Sequence, residues 1–177
     1  MSGVKVDLTQ DFDIKFDLNF GARDNGGEGM AFVLHNDARG ASAIGGTGAS
    51  LGAVGIAKGL GIEFDTYNNG NQFQDIAADH SNFFDTDAAL GSRKIGNTTN
   101  LGNIEDGLWH AIHVQWNATT HVLSYEYDGR AAGVINVDLS ADYLGGSELA
   151  YFGVTGSTGG ATANHYVRFV SVDGVFV

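Results

Sequence analysis

The sequence predicts an antiparallel β-sandwich, and three observations support this fold class. Apolar and polar residues alternate along several short stretches, which is the pattern of strands with one buried face. No stretch has the 3.6-residue period of a long helix. The chain has 27 glycines and no proline, so its turns must use Gly, Asn and Asp. With 177 residues, 43% of them hydrophobic, it can bury one sizeable core, so we predict a single domain over residues 1–177.

The first half contains three strand signals and one glycine-rich block. Residues 11–20 alternate strictly between apolar and polar, which indicates a half-buried strand. Residues 30–35 are almost continuously apolar, and we expect this strand to be buried on both faces. The block at residues 40–61 is too apolar for a flexible linker, so we expect an ordered surface loop. A further strand is predicted at residues 61–65.

The second half is predicted to be a series of short strands separated by polar turns. The strands are expected at residues 109–116, 122–127, 132–139, 150–155 and 164–172, with residues 174–177 as a last edge. Residues 139–144 are expected to form one short helical turn. Many strands without a long helix indicate two packed antiparallel sheets of the jelly-roll type.

The densest group of candidate ligands lies in residues 61–81. Residues two apart on a strand share a face, so Glu63 and Asp65 point the same way. The Gly- and Asn-rich loop that follows can bring back three further ligands: Asn69, Asp75 and His80. Carboxylates held together repel one another unless a cation neutralises them. Oxygen ligands that include an amide favour calcium, whereas a His among carboxylates favours manganese or a similar ion.

Five segments resemble the legume-type (L-type) lectin family, in that family's order. Residues 63–69 read EFDTYNN and resemble its metal motif, which consists of an acid, a spacer and Asp-Thr-Tyr-x-Asn. In the family an Asp and a His five residues apart complete this motif, as Asp75 and His80 do here. The other segments resemble its Gly-x-Asp-Gly-x-Ala-Phe strand, its glycine-rich sugar loop, its Asp-Gly-x-Trp-His strand opening and its Phe-Ser-Ala-x-Thr-Gly loop. They are residues 26–34, 48–52, 106–110 and 152–159. The resemblance implies a concanavalin-like jelly roll.

The resemblance also implies two adjacent metal sites. The ligands implied for a transition metal, usually Mn2+, are Glu63, Asp65, Asp75 and His80. The ligands implied for Ca2+ are Asp65, Asn69, Asp75 and the backbone carbonyl of Tyr67. Calcium accepts amide and main-chain oxygens, and two dications side by side need shared carboxylates. A chain that keeps only calcium would instead use His80 to hydrogen-bond Asp75.

A carbohydrate site beside the calcium is implied by the same resemblance. Its residues are Glu28, Gly48, Tyr67, Asn69, Ser157, Thr158, Gly159 and Gly160. A carboxylate accepts protons from sugar hydroxyls, the Asn69 amide donates, and an aromatic ring packs against the sugar's C–H face. The family has Asp where this chain has Glu28, and the extra methylene moves the carboxylate enough to weaken or re-aim the contact. The family's cis peptide bond is expected before Glu28.

Composition excludes several partners. The net charge is −12 with nine basic residues, so we expect neither nucleic acid nor anionic membranes as partners. No apolar run approaches the roughly 18 residues of a membrane helix, and we expect no signal peptide in the first residues, which lack a basic and an apolar region. The absence of cysteine suits a bacterial surface protein exported without oxidative folding. We therefore expect an extracellular or cell-surface module of a larger protein.

The sequence thus predicts calcium-dependent glycan binding by a bacterial adhesin module, without catalysis. A glycoside hydrolase with the same architecture would need a second Glu shortly after Glu63 and Asp65, but Tyr67 and Asn68 stand there. A calcium-stabilised structural or protein-binding adhesin domain without sugar affinity would have the same acid cluster. This second alternative stays open at the level of sequence.

Overall fold

Two antiparallel sheets pack face to face in the computed structural model, which describes residues 1–89 and 93–177. Within these residues there are eleven strands: β1 (Val6–Asp7), β2 (Phe12–Asn19), β3 (Gly29–His35), β4 (Gly59–Asp65), β5 (Asp79–Asp85), β6 (Lys94–Gly102), β7 (His110–Asn117), β8 (Val122–Tyr127), β9 (Arg130–Asn136), β10 (Leu149–Ser157) and β11 (Tyr166–Asp173). One sheet has the order β1-β10-β3-β4-β5-β6 and the other β11-β2-β7-β8-β9. The predicted sandwich is confirmed.

The main core lies between the two sheets and follows from the alternation in the sequence. The inward residues of β2 are Phe12, Ile14, Phe16 and Leu18, all buried. They face the inward residues of β3, and the rings of Phe16 and Phe32 stack with centroids 5.6 Å apart. Strand β7 alternates in the same way, with Ile112 and Val114 inside. Burial of these apolar side chains is the main favourable term that holds the sheets together.

A second, smaller core covers the outer face of the six-stranded sheet. Its members are Ala31, Val33, Ala43, Leu51, Ala53, Ile56 and Phe84. Two of them come from β3 and four from the glycine-rich block, which contains two 3-10 turns, Gly40–Ser42 and Gly48–Ser50. Every residue of β3 is therefore buried, as predicted, because one face meets the main core and the other meets the block. The prediction of an ordered loop at residues 40–61 is also confirmed up to Lys58, after which β4 begins.

Three strands were not predicted from the sequence: β1, β5 and β6. The expected last edge at residues 174–177 is reduced to a single bridge between Val6 and Phe176. The short helix α1 (Leu139–Asp142) forms where expected, and the Asp138 side chain accepts a hydrogen bond from the Ala141 amide as its N-cap. Within the described ranges α1 is the only α-helix, and none of the helices there has the length and apolar character to cross a membrane.

Candidate functional site

The candidate ligands lie at one end of three neighbouring strands of the six-stranded sheet. The register pairs Gly29 at the start of β3 with Asp65 at the end of β4. Asp65 in turn pairs with His80 near the start of β5. The inward neighbours Ile62 and Phe64 belong to the main core, so Glu63 and Asp65 project from the opposite face. The topology therefore brings residues from three chain segments together at one end of these strands.

Three carboxylates and one imidazole meet on this outer face. Ligand atoms of Glu63, Asp65, Asp75 and His80 all lie within 4.8 Å of one another. Burial and the charge of Glu63 raise the pKa of Asp65 well above its ordinary value. Burial also raises the pKa of Glu63, although nearby positive groups oppose the shift. Burial acts on Asp75 too, but the neighbouring His80 ring, the Asn69 amide and the Lys94 ammonium outweigh it and lower the pKa of Asp75. Such a cluster requires a cation to stay ionised.

The calcium half of the predicted site fits calcium. Asp65 Oδ1 accepts a hydrogen bond from the Tyr67 amide at 2.8 Å, and Asp75 Oδ2 accepts one from the Asn69 amide at 2.8 Å. These contacts fix the loop while each carboxylate keeps a second oxygen. The Oδ1 atom of Asn69 is buried and has no hydrogen-bond partner. A buried amide oxygen without a partner is costly unless a ligand completes it, and calcium prefers such oxygens.

The structure brings together the four residues implied for the transition metal, but a side chain of the protein also stands among them. The ammonium nitrogen of Lys94 lies 3.1 Å from Glu63 Oε1, 3.4 Å from Asp75 Oδ1 and 3.2 Å from His80 Nε2. A metal bound to these three atoms would occupy the position of the ammonium. Lys94 was not among the residues singled out in the sequence, where no motif marks it.

Glu28 is buried beside the calcium ligands and is joined to them by Asn69. The Gly27–Glu28 peptide bond is cis, as the resemblance implied. The Nδ2 group of Asn69 donates a hydrogen bond to Glu28 Oε2 at 3.0 Å. The Glu28 backbone is held as well, because its amide donates to the Ser157 carbonyl and its carbonyl accepts from the Thr66 amide. The carboxylate is thus fixed, with only 6% of the residue exposed.

Two loops approach the Glu28 carboxylate from the other side. A methyl group added to Gly159 would lie 2.5 Å from Glu28 Oε1, so only glycine allows this close approach. Gly48 faces the same oxygen at 3.9 Å by the same measure. The two loops are tied together, because the Ser157 hydroxyl donates to the Gly48 carbonyl at 2.7 Å. Gly48, Ser157 and Gly159 therefore form one wall around Glu28.

The remaining predicted residues occupy the rim or lie apart. Tyr67 is 42% exposed, and its ring lies beside Gly27, within 3.4 Å of where a methyl group on that residue would be. The structure thus brings the ring next to the Glu28 segment. Thr158 instead lines a separate hollow with His165 and Val167. Gly160 is exposed, and a methyl group there would point into open space.

Comparisons with known proteins agree with this architecture. The lectin from Bauhinia forficata in complex with GalNAc has a TM-score of 0.70 at 18% identity, covering 91% of this chain and 71% of that chain. The acidic lectin of winged bean complexed with methyl-α-D-galactose has a TM-score of 0.71 at 20% identity, covering 90% of this chain and 68% of that chain. At these identities the likeness shows the fold.

Two sequence comparisons complete the picture. The pesticidal crystal protein Cry22Aa of Bacillus thuringiensis is 28% identical over 138 residues, which cover 67% of this chain and 19% of that protein. The chain therefore spans about a fifth of the length of this curated relative. The family model described as the legume lectin β-barrel domain matches residues 1–171, which is nearly the whole chain. The chain therefore belongs to the legume-type (L-type) lectin domain family.

Proposed function

We propose that this chain binds carbohydrate without catalysis, at a pocket that a bound calcium ion organises. The L-type lectin fold indicates carbohydrate binding, and the family is one of non-enzymatic binding proteins. Calcium dependence and the residues of the pocket are the parts that we propose for this chain. They rest on the contacts of a single side chain, Asn69.

Asn69 joins the metal ligands to the acid of the pocket. Its Oδ1 is buried without a hydrogen-bond partner, and its backbone amide donates to the predicted calcium ligand Asp75. Its Nδ2 donates to Glu28 Oε2. A cation held by the oxygen would fix the orientation of the amide, so that the nitrogen always faces the pocket. This two-sided amide is the observation that carries the proposal.

The pocket residues match the chemistry of a sugar. Vicinal hydroxyls donate protons and also accept them, so a carboxylate and an amide side by side can bind both members of a pair. Glu28 supplies the acceptor oxygens and Asn69 the donor. Gly48 and Gly159 let their loops approach the carboxylate because they carry no side chain. The half-exposed ring of Tyr67 offers an apolar face at the rim.

The proposed calcium ligands are Asp65, Asn69, Asp75 and the carbonyl of Tyr67. Bound calcium would supply the positive charge that these crowded carboxylates lack. Asp65 is the most dependent on it, because it is 3% exposed and its pKa is raised by burial and by the charges of Glu63 and Asp75. The segment from Tyr67 to Asp75 would therefore be ordered by the same ion that fixes Asn69.

We also propose that the chain acts outside the cell or on a bacterial surface, as an adhesin module of a larger protein. The absence of cysteine and the net charge of −12 support export without disulfide formation and solubility in that setting. The similarity to one fifth of a much longer Bacillus protein supports a modular context.

A second candidate is a calcium-stabilised domain that supports structure or binds protein. The burial of Glu28 favours this candidate, because a carboxylate covered by the Gly159 loop exposes little surface to a sugar. Both candidates predict stabilisation by calcium, and they differ only in glycan binding.

A glycan array in calcium and in EDTA distinguishes the two candidates. The panel includes galactose and GalNAc, since structurally similar lectins were solved with these sugars. We expect calcium-dependent binding that is lost in Glu28→Gln and kept in Glu148→Gln, an exposed acid distant in sequence. Calcium-dependent melting without any glycan signal would instead support the structural domain.

A further inference from the structure

Lys94 has the contacts of a bound cation at the centre of the acid cluster. Its ammonium nitrogen lies within 3.4 Å of atoms from Glu63, Asp75 and His80. These are three of the four ligands that the family resemblance implies for a transition metal. The fourth, Asp65, completes the cluster on its other side.

The number of donors on the ammonium matches the acceptors around it. A protonated lysine has three N–H donors and no acceptor. His80 Nδ1 contacts the Ala78 carbonyl at 3.0 Å, which can only accept, so Nδ1 carries the proton and Nε2 presents a lone pair to Lys94. The other two contacts are ion pairs with Glu63 and Asp75. Glu63 Oε1 is buried and accepts no hydrogen bond, so the ammonium at 3.1 Å serves as its counter-charge.

Burial makes this arrangement specific. The Lys94 side chain is 9% exposed, and the side chains of Glu63 and Asp75 are 11% and 3% exposed. A charge removed from water to this extent needs a partner of opposite charge. The three carboxylates of the cluster carry three negative charges, which one calcium ion and one ammonium group balance. A second divalent ion would add charge that the cluster does not need.

The sheet topology delivers Lys94 to this position. Strand β6 pairs with β5, and Lys94 lies opposite Phe84, whose side chain is on the outer face. The next residue, Ile95, lies opposite Phe83 and packs against the main core. Lys94 therefore projects from the same face as His80, which is two pairs of residues away from Phe84 along β5. From there its long side chain reaches the cluster.

We propose that the ammonium group of Lys94 permanently takes the place of the transition metal, so that this chain binds one metal ion and not two. The inference rests on the proposed function only for the neighbouring calcium site. It predicts that the chain has no manganese site while Lys94 is present, and that removing the ammonium creates one.

Electron paramagnetic resonance of Mn2+ tests this in excess calcium, which keeps manganese out of the calcium site. We compare the wild type with Lys94→Met, which keeps the length and loses the charge, and with Lys15→Met, whose side chain is 48% exposed. We expect the free Mn2+ signal to be unchanged by the wild type and by Lys15→Met, and to fall by one equivalent per chain with Lys94→Met. Stoichiometric manganese binding by the wild type, or none by a folded Lys94→Met, overturns the proposal.

Amine labelling of the wild type tests the proposal without any variant. Lys94 should resist acetylation with and without Mn2+, whereas Lys15 should react rapidly. Labelling of Lys94 at the rate of Lys15 overturns the proposal, and so does labelling that Mn2+ induces, because both require the ammonium to leave the cluster. Calcium and glycan binding are measured on the same samples. Their failure would count against the proposed function and would leave the result for Lys94 intact.

Discussion

The substitution Asn69→Asp, which replaces one nitrogen with oxygen, should separate glycan binding from calcium binding. In Asn69→Asp the buried Oδ1 atom, which we propose as a calcium ligand, stays an oxygen. The Nδ2 group, which donates to Glu28 Oε2 at 3.0 Å, becomes a second oxygen. A donor is therefore replaced by an acceptor that faces a buried carboxylate. The calcium site gains a charge, and the pocket loses its donor.

The size of the effect follows from these contacts. A buried sugar hydroxyl left without its donor costs about 1–3 kcal/mol, which corresponds to about a 5- to 150-fold loss of glycan affinity. Two like charges 3.0 Å apart repel by about 5 kcal/mol at an effective dielectric constant of about 20. Uptake of a proton or binding of calcium relieves part of this repulsion. The variant should therefore melt at a lower temperature than the wild type in EDTA, by about 2–4 °C for each kcal/mol that remains.

Isothermal titration calorimetry with calcium and then with the best glycan from the array measures both effects. Asn68→Asp is the matched control, because it adds the same charge in the same loop at an exposed position. We expect Asn69→Asp to bind calcium at least as tightly as the wild type and to lose glycan affinity by about fivefold or more. If the two variants bind glycan equally well, the Asn69 amide is not a donor in the pocket.

Three further predictions follow from other contacts. Calcium at about 100 times its dissociation constant should stabilise the wild type by about 2.7 kcal/mol. Asp65→Ala should abolish both this stabilisation and glycan binding. A variant that binds glycan without being stabilised by calcium would disprove the coupling. Gly159→Ala should lower glycan affinity without lowering calcium affinity, because its methyl group would lie 2.5 Å from Glu28 Oε1. Gly160→Ala should change neither affinity, because its methyl group would meet open space. Calorimetry measures both affinities. Burial and the charges of Asp79 and Asp24 raise the pKa of Glu105 from 4.5 to about 7. The folded state therefore holds the Glu105 proton more tightly than the unfolded state, and the free energy of unfolding should fall as the pH rises from 4.5 to about 7. This decrease is at most about 3 kcal/mol. Urea denaturation at both ends of the pH range should show the decrease in the wild type and not in Glu105→Gln. If the variant keeps the same pH dependence, Glu105 is not its source.

Strands with a clear apolar pattern could be predicted from the sequence, whereas β5 and β6, which bring His80 and Lys94 to the site, could not. Strand β2 was recognised because its outer residues are solvated and its inner ones are apolar. Strand β5 was missed because its outer face carries His80 and Asn82, which break the pattern expected for a strand covered by other elements. Strand β6 contains Gly96, Asn97 and Asn100, residues that disfavour strands, and it lies at an edge of the sheet.

The site was predictable only where its residues are consecutive or belong to a family motif. The cluster after Ile62 was found because the strand period and the loop composition both point to it. Lys94 was not found, because an isolated lysine on a strand normally reaches solvent and only the pairing of β5 with β6 turns it inward. Glu105 precedes Asp106 and Gly107, a composition typical of an exposed turn, whereas it is 3% exposed. Long-range topology decides both cases, and it leaves no local signal.

The glycine-rich block is held to the protein by backbone contacts and buried side chains, while some of its side chains are exposed to solvent. The Arg39 guanidinium donates to the carbonyls of Ile44 and Gly55, and Leu51 is buried against the sheet, whereas the Ile44 side chain is 64% exposed. The wall residue Gly48 is held in place by the Ser157 hydroxyl, while its neighbour Thr47 is exposed. Substituting Thr47 offers protein engineers a way to alter which ligands are accepted while the underlying scaffold stays intact.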